Sequence, residues 1–365
     1  MTVILLYGWS ALPGFFFSQG FGNIIMKFIL TSVRGNVDFF SRLGNPFPEV
    51  LSQPVTWVLY FSILAGLVVL FFRYRTRSLR KTNQILREKE KIAQEVLRQR
   101  DRLAVAMKNL TDSIRYAQKI QQALLPSDYY FKRLLPASFI LFIPRDIVSG
   151  DFYWINEKNG KVFFTAADCT GHGVPGALMS MIGFQMLDKI INDQEVETPS
   201  EILNILNQGI ATTFSRGEES ILLKDGMDLS FCTLERKMNT LEFAGAFNAL
   251  YLVRDNNLLQ YKGDRVSVGL GEEENQRFSN HRIELQEGDK IYLFSDGYAD
   301  QFGGPNGKKF MYRRFRHLLL SIADMPMHRQ KEFIYETFLS WKGDLEQVDD
   351  ILIIGVEPLK NNTSQ

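Results

Sequence analysis

From Arg73 to Leu125 the chain contains neither glycine nor proline, and this stretch most restricts what the chain can fold into. Charges are dense and good helix formers dominate, so one long uninterrupted helix is predicted. Val96, Leu103, Leu110, Ala117 and Leu124 recur at seven-residue intervals. Ile85, Ile92, Ala106 and Ile120 mark a partner seam that Gln99 and Ser113 interrupt. Heptads over this length predict a parallel coiled coil and therefore a homodimer through residues 80–125. The polar seam positions weaken the coil, which suits an element that shifts between registers. The last turns, Ile114 to Leu125, read equally well as an amphipathic helix lying on the following domain, because Leu125-Pro126 ends the helix there.

Upstream the texture is different. Across residues 1–72 the only charged residues are Lys27, Arg34, Asp38, Arg42 and Glu49. The run Val55 to Phe72 carries no charge, which predicts a transmembrane helix over 54–72. Arg73, Arg75, Arg77, Arg80 and Lys81 follow at once, and basic residues at that end predict that it faces the cytoplasm. Next to a span, they read as contacts for lipid headgroups. Residues 1–53 form an apolar segment broken by Gly8, Pro13, Gly14, Gly20 and Gly22, a candidate first span. No Lys or Arg precedes its apolar run, so the usual signal-peptide layout is absent.

From about residue 126 to 358 the chain reads as a globular domain, followed by a tail over 359–365. Strand-like runs fall at 138–143, 161–167, 228–234, 240–245, 248–254, 258–262, 290–295 and 350–356. Asn256-Asn257 and Met238-Asn239 read as hairpin turns. Helical patterns cover 175–192, 199–215, 310–323 and 328–341. Paired helices between blocks of consecutive strands predict an α+β fold rather than an alternating parallel one. Lys+Arg 42 against Asp+Glu 41 gives a net charge of +1, so no nucleic-acid partner is expected. Two cysteines cannot build a disulfide framework. With only four histidines, any bound metal must be held mostly by carboxylates.

The acids that carry chemistry stand at strand ends beside small residues. Asp151 lies in Gly150-Asp151-Phe152, Asp168 opens Asp168-Cys169-Thr170-Gly171-His172-Gly173, and Asp296 lies in Ser295-Asp296-Gly297. Asp349 and Asp350 open the last strand. Any one of these alone is an ordinary turn residue. Brought together, they would repel one another and resist desolvation unless cations neutralised them. Oxygen-only ligands select hard ions, Mg²⁺ or Mn²⁺. Two such ions about 4 Å apart can activate a bridging water and clamp a phosphoryl group.

The ordered set Gly-Asp-Phe-Tyr (150–153), Ala-Asp-Cys-Thr-Gly-His-Gly-Val-Pro-Gly-Ala (167–177), Phe-Ser-Asp-Gly (294–297) and Asp-Asp-Ile (349–351) resembles the bacterial SpoIIE-type serine phosphatases of the metal-dependent PPM family. The resemblance covers roughly residues 113–357 and includes Ile120-Gln121-Gln122-Ala123-Leu124-Leu125-Pro126. It implies a four-layer α-β-β-α sandwich and hydrolysis of phosphoserine or phosphothreonine on a protein with two Mn²⁺ or Mg²⁺ ions. It implies that Asp168 bridges both metals, that the Cys169 backbone carbonyl ligates one, that Asp296 and Asp349 hold the other, and that Asp151 serves the second metal directly or through water. Asp300 and Asp350 would stand behind these ligands. The eukaryotic relatives carry a general-acid His two positions after the bridging Asp. Here His172 stands four positions after it and is the candidate proton donor, with a water at the metals as the alternative source. Their phosphate-gripping Arg has no clear match, Arg145 reading as a surface charge before Asp146. Cys169 is not read as a nucleophile, since no partner His–Asp arrangement is evident.

The expected protein is thus a membrane-anchored phosphatase at the bacterial inner membrane, its catalytic domain in the cytoplasm, regulated through a dimeric coiled coil. Its substrate would be a phosphorylated regulatory protein, an anti-sigma-factor antagonist being typical of the family. The alternative is an inactive pseudophosphatase that binds a phosphoprotein, which loss of one metal acid would favour.

Overall fold

The central strands of the globular part carry apolar side chains on both faces, which requires cover on both sides of each sheet. The computed structural model describes residues 54–214, 225–269 and 277–360. The apolar segment 1–53, its candidate first span, and tail residues 361–365 lie outside the described residues. The chain divides into two units, residues 1–102 and 103–365.

Helix α1 (Pro54–Leu124) is continuous, as the absence of Gly and Pro predicts. Its heptad residues Val96, Leu103 and Leu110 are 58%, 61% and 62% exposed. The last turn is different: Gln121 is buried, and Leu124 packs against the core of the second unit. Among the described residues no helix is long and apolar enough to cross a membrane. This overturns the expected transmembrane helix over 54–72, the membrane as a partner and the inner-membrane location.

The second unit continues with α2 (Asp128–Leu134), β1 (Ser138–Ile143), β2 (Phe152–Lys158), β3 (Lys161–Cys169), α3 (Gly173–Asp193) and α4 (Pro199–Phe214). Then come β4 (Met227–Glu235), β5 (Thr240–Ala246), β6 (Leu250–Arg254), β7 (Asn257–Tyr261), β8 (His281–Glu284) and β9 (Lys290–Phe294). The chain ends with short α5 (Gly297–Asp300), β10 (Phe302–Gly303), β11 (Lys308–Lys309), α6 (Met311–Ser321), α7 (Met327–Lys342) and β12 (Ile351–Val356). One sheet has the order β1-β12-β9-β6-β7 and the other β2-β3-β4-β5-β8, while β10 and β11 form a small hairpin. Neighbours in these sheets pair antiparallel.

The layers follow from which residues share a core. Ile140, Leu252, Leu293 and Leu352 of the first sheet meet Ile155, Phe164, Leu234 and Phe243 of the second in one cluster. Phe163, Leu229 and Phe231 point the other way and pack with Leu187 and Ile191 of α3 and Leu203 and Leu206 of α4. Tyr251, Phe294 and Ile353 pack with Phe315 and Leu319 of α6 and Ile334 and Phe338 of α7. The order helices, sheet, sheet, helices is the α-β-β-α sandwich that the resemblance implies. In β12, Ile351 and Ile353 face α6 and α7 while Leu352 and Ile354 face the other sheet. A one-residue slip would exchange these sets.

Candidate metal centre

Asp168 and Cys169 end β3, Asp151 immediately precedes β2, Asp296 follows β9, and Asp349 and Asp350 precede β12. β2 and β3 pair with Phe152 opposite Ala167, so Asp151 and Asp168 lie at the same end of one sheet. β9 and β12 pair with Phe294 opposite Ile353, which sets Asp296 and Asp349 together at an end of the other sheet. The two ends meet: the Asp296 N–H donates to the Asp168 carboxylate.

Glycines permit this approach. A Cβ on Gly297 would lie 2.0 Å from the Asp350 carbonyl oxygen, and one on Gly150 would lie 2.6 Å from Gly171 O and 3.2 Å from Cys169 O. Ser295 ties the sheet to the site. Its hydroxyl accepts the Leu352 N–H at 2.9 Å and hydrogen-bonds to Asp151. The loop before Asp151 is held from α1, because Gln121 Nε2 donates to Ser149 O at 2.6 Å and to Ser180 Oγ at 2.9 Å. Gln121 Oε1 in turn accepts the Ser149 N–H at 3.1 Å.

Burial, then the charge of Asp168, pushes the Asp151 carboxyl well above the usual carboxylate range. Burial, then Asp296 and Asp349, does the same to Asp168. Burial followed by Asp349 pushes Asp296 up to about 6. Asp349 is raised by burial, with His172 and Arg145 opposing. Several carboxyls thus share one volume in which ionisation is disfavoured. Burial also pushes the Cys169 thiol well up, the reverse of an activated thiolate.

Among the described residues no group of three or more His, Cys, Asp or Glu is gathered closely enough to hold a metal ion. The donor chemistry nonetheless fits hard divalent cations: the acids offer only oxygen. Asp151 Oδ2 is buried without a hydrogen-bond partner, and such an atom calls for an ion or water.

The remaining residues named from the sequence lie around this cluster. Asp300 ion-pairs with Lys309 at 2.8 Å and adds to the charge felt by Asp296. His172 precedes α3, with Nδ1 2.8 Å from Asp146 Oδ2. Asp350 is buried and directs its carboxylate at backbone N–H groups.

Sequence reasoning missed Asp228, Asp146, Ser295 and Gln121. Asp228 sits opposite Asp168 on β4, bonded by the Ser267 hydroxyl, and adds to the charge around Asp168. An acid at the start of a strand run was the available signal. Gln121 stood within the Ile120 to Pro126 block without a role assigned to it, and for Asp146 no local pattern existed.

The family model for stage II sporulation protein E, SpoIIE, matches residues 158–358. Among solved structures, the SiaA-PP2C domain of Pseudomonas aeruginosa is 34% identical with a TM-score of 0.63, the match covering 69% of this chain and 98% of that one. The PP2C phosphatase domain of SpoIIE from Bacillus subtilis, solved with a fragment of its regulatory domain, is 18% identical with a TM-score of 0.47, covering 60% and 62%. The RsbU and RsbW domains of a Mycobacterium tuberculosis protein are 18% identical with a TM-score of 0.49, covering 61% and 60%. No curated protein matches this chain. With its family match over 158–358 and its likeness to SiaA-PP2C, this chain belongs to the SpoIIE family of metal-dependent, PP2C-type protein serine/threonine phosphatases.

Proposed function

We propose that this phosphatase removes phosphate from phosphoserine or phosphothreonine on a regulatory protein, an anti-sigma-factor antagonist being the class its family suggests. The observation that carries the reading is the buried, mutually repelling acid cluster with the unpaired oxygen of Asp151. Asp168 would hold two Mn²⁺ or Mg²⁺ ions, with the Cys169 carbonyl and Asp151 on one side and Asp296 and Asp349 on the other. When bound, such ions supply Lewis acidity to phosphoryl oxygens and an acidified water.

The chain's own residues do the rest. Gly150, Gly176 and Gly297 leave space where backbone meets backbone. His172, steadied at Nδ1 by Asp146, presents Nε2 as the atom that gives a proton to the departing serine oxygen. The exposed seam at Val96, Leu103 and Leu110 supports a homodimer through residues 80–125. Gln121 then links that helix to the loop before Asp151, so movement of the coil would reach the acids.

The test is phosphate release from a phosphoserine peptide by the full chain, with and without Mn²⁺. Turnover should require the ion and vanish in Asp168→Asn. Metal-independent turnover, or turnover surviving that change, would refute the reading.

A further inference from the structure

Asp350 spends its carboxylate in an unusual way for a residue one position from a candidate ligand. Oδ1 accepts the Arg145 N–H at 2.7 Å and Oδ2 accepts the Gly150 N–H at 2.7 Å. Its own N–H donates to Asp349 Oδ1 at 2.9 Å. The residue is 3% exposed. Both oxygens therefore pin the two ends of the loop that runs from Arg145 to Gly150, and Asp151 follows directly.

The choice of residue is informative. Two converging N–H donors need two acceptors on one planar group, which a carboxylate supplies. An asparagine would turn its own NH₂ towards one of them. A buried third acid beside Asp151 and Asp349 is electrostatically unfavourable, since its charge adds to the repulsion that both of them feel. If only packing were needed, an apolar residue would serve without that cost.

Gly150 is the point of leverage. It rests against Gly171 O and Cys169 O with no room for a Cβ. Whatever fixes the Gly150 N–H thus fixes the distance of Asp151 from the Cys169 carbonyl, while the same residue steadies Asp349. We infer that Asp350 is a positioning residue, not a metal ligand: its two-pronged grip on Arg145 and Gly150 sets Asp151, Asp349 and the Cys169 carbonyl in mutual register for cation uptake. The inference rests on the proposed metal centre and deepens it.

The experiment measures Mn²⁺ binding to the full-length chain by the loss of the free-ion EPR signal, for wild type and Asp350→Asn, with melting temperatures recorded in EDTA. Outer partners of metal ligands are worth roughly 10- to 100-fold in affinity. Asp350→Asn is therefore expected to weaken Mn²⁺ binding by about that factor, and Asp350→Glu to leave it weakened because its longer arm misplaces the grip. Equal affinity in wild type and Asp350→Asn would overturn the inference. Wild type that binds no Mn²⁺ would instead sink the metal centre itself, so the two failures are distinguishable.

Amide hydrogen exchange on wild type supplies a readout that does not depend on the variants folding. The Arg145 and Gly150 amides should stay protected with and without Mn²⁺. If adding Mn²⁺ released them, Asp350 would be leaving its backbone partners to ligate the ion, and the inference would fall.

Discussion

At the scale of single residues, the backbone near the site makes the sharpest demands. Met311 opens α6 at φ 71° and is 54% exposed. A side chain in the left-handed region costs about 1–2 kcal/mol, and glycine entropy returns ~0.5–1 kcal/mol of that. Met311→Gly should stabilise the protein by ~0.5–1 kcal/mol in urea unfolding; a loss would show that Met311 contacts outweigh the strain. Gly176 has the opposite sensitivity, since a Cβ there would stand 2.1 Å from the Gly171 carbonyl oxygen. Gly176→Ala should cost ~1–3 kcal/mol in the same assay. The acids add a pH dependence. Asp296 has its folded pKa raised to about 6, above an unfolded value of about 3.9. The folded, metal-free state binds the extra proton, so this contribution is complete below the unfolded value and is lost as pH rises through about 6. Asp151 and Asp168 are shifted in the same direction. Melting temperature in EDTA should fall as pH rises from about 5 to 7, and Mn²⁺ should remove the fall. A rise over that window would contradict the assignment.

At the scale of elements, α1 does two jobs along its length. Leu103 and Leu110 are exposed, whereas Gln121 is buried and bonded to Ser149 and Leu124 packs against the core. Changing both Leu103 and Leu110 to Asp should convert a dimer to a monomer in sedimentation velocity without loss of β-sheet signal; an unchanged dimer would place the interface elsewhere. Much of this organisation is legible in the sequence. β1 occupies Ser138–Ile143, the range its apolar run predicts, and the four helical patterns fall on α3, α4, α6 and α7. β2 was not legible from alternation, since Asn156, Glu157 and Lys158 interrupt it. The turn that follows, with Asn159 at φ 54° and Gly160 at φ 77°, was not read from the sequence, although Asn-Gly is a strong hairpin signal. β8 is four residues long with only Ile283 buried, too short for any periodicity. The β6–β7 turn centres on Asp255 and Asn256, at φ 47° and 57°, one residue before the predicted Asn256-Asn257.

At the scale of the whole molecule, strand ends of the two sheets meet, the Asp296 N–H donating to the Asp168 carboxylate. The acids were visible because Asp151 and Asp296 stand beside a glycine, Asp168 closes an apolar run and Asp349 stands at the opening of another. Their supports were not, because Gln121 reaches Ser149 and Asp350 reaches Arg145 and Gly150 only through the fold. The uncharged run before Arg73 reads in isolation as a span. Among the described residues, however, no helix is long and apolar enough to cross a membrane. The account stands or falls on whether the converging acids hold cations. Anomalous diffraction at the manganese edge, from crystals of the full chain grown in Mn²⁺, addresses this directly. The account predicts two peaks flanking Asp168, one against Asp151 and the other against Asp296 and Asp349. Well-ordered acids with no peak among them would contradict it.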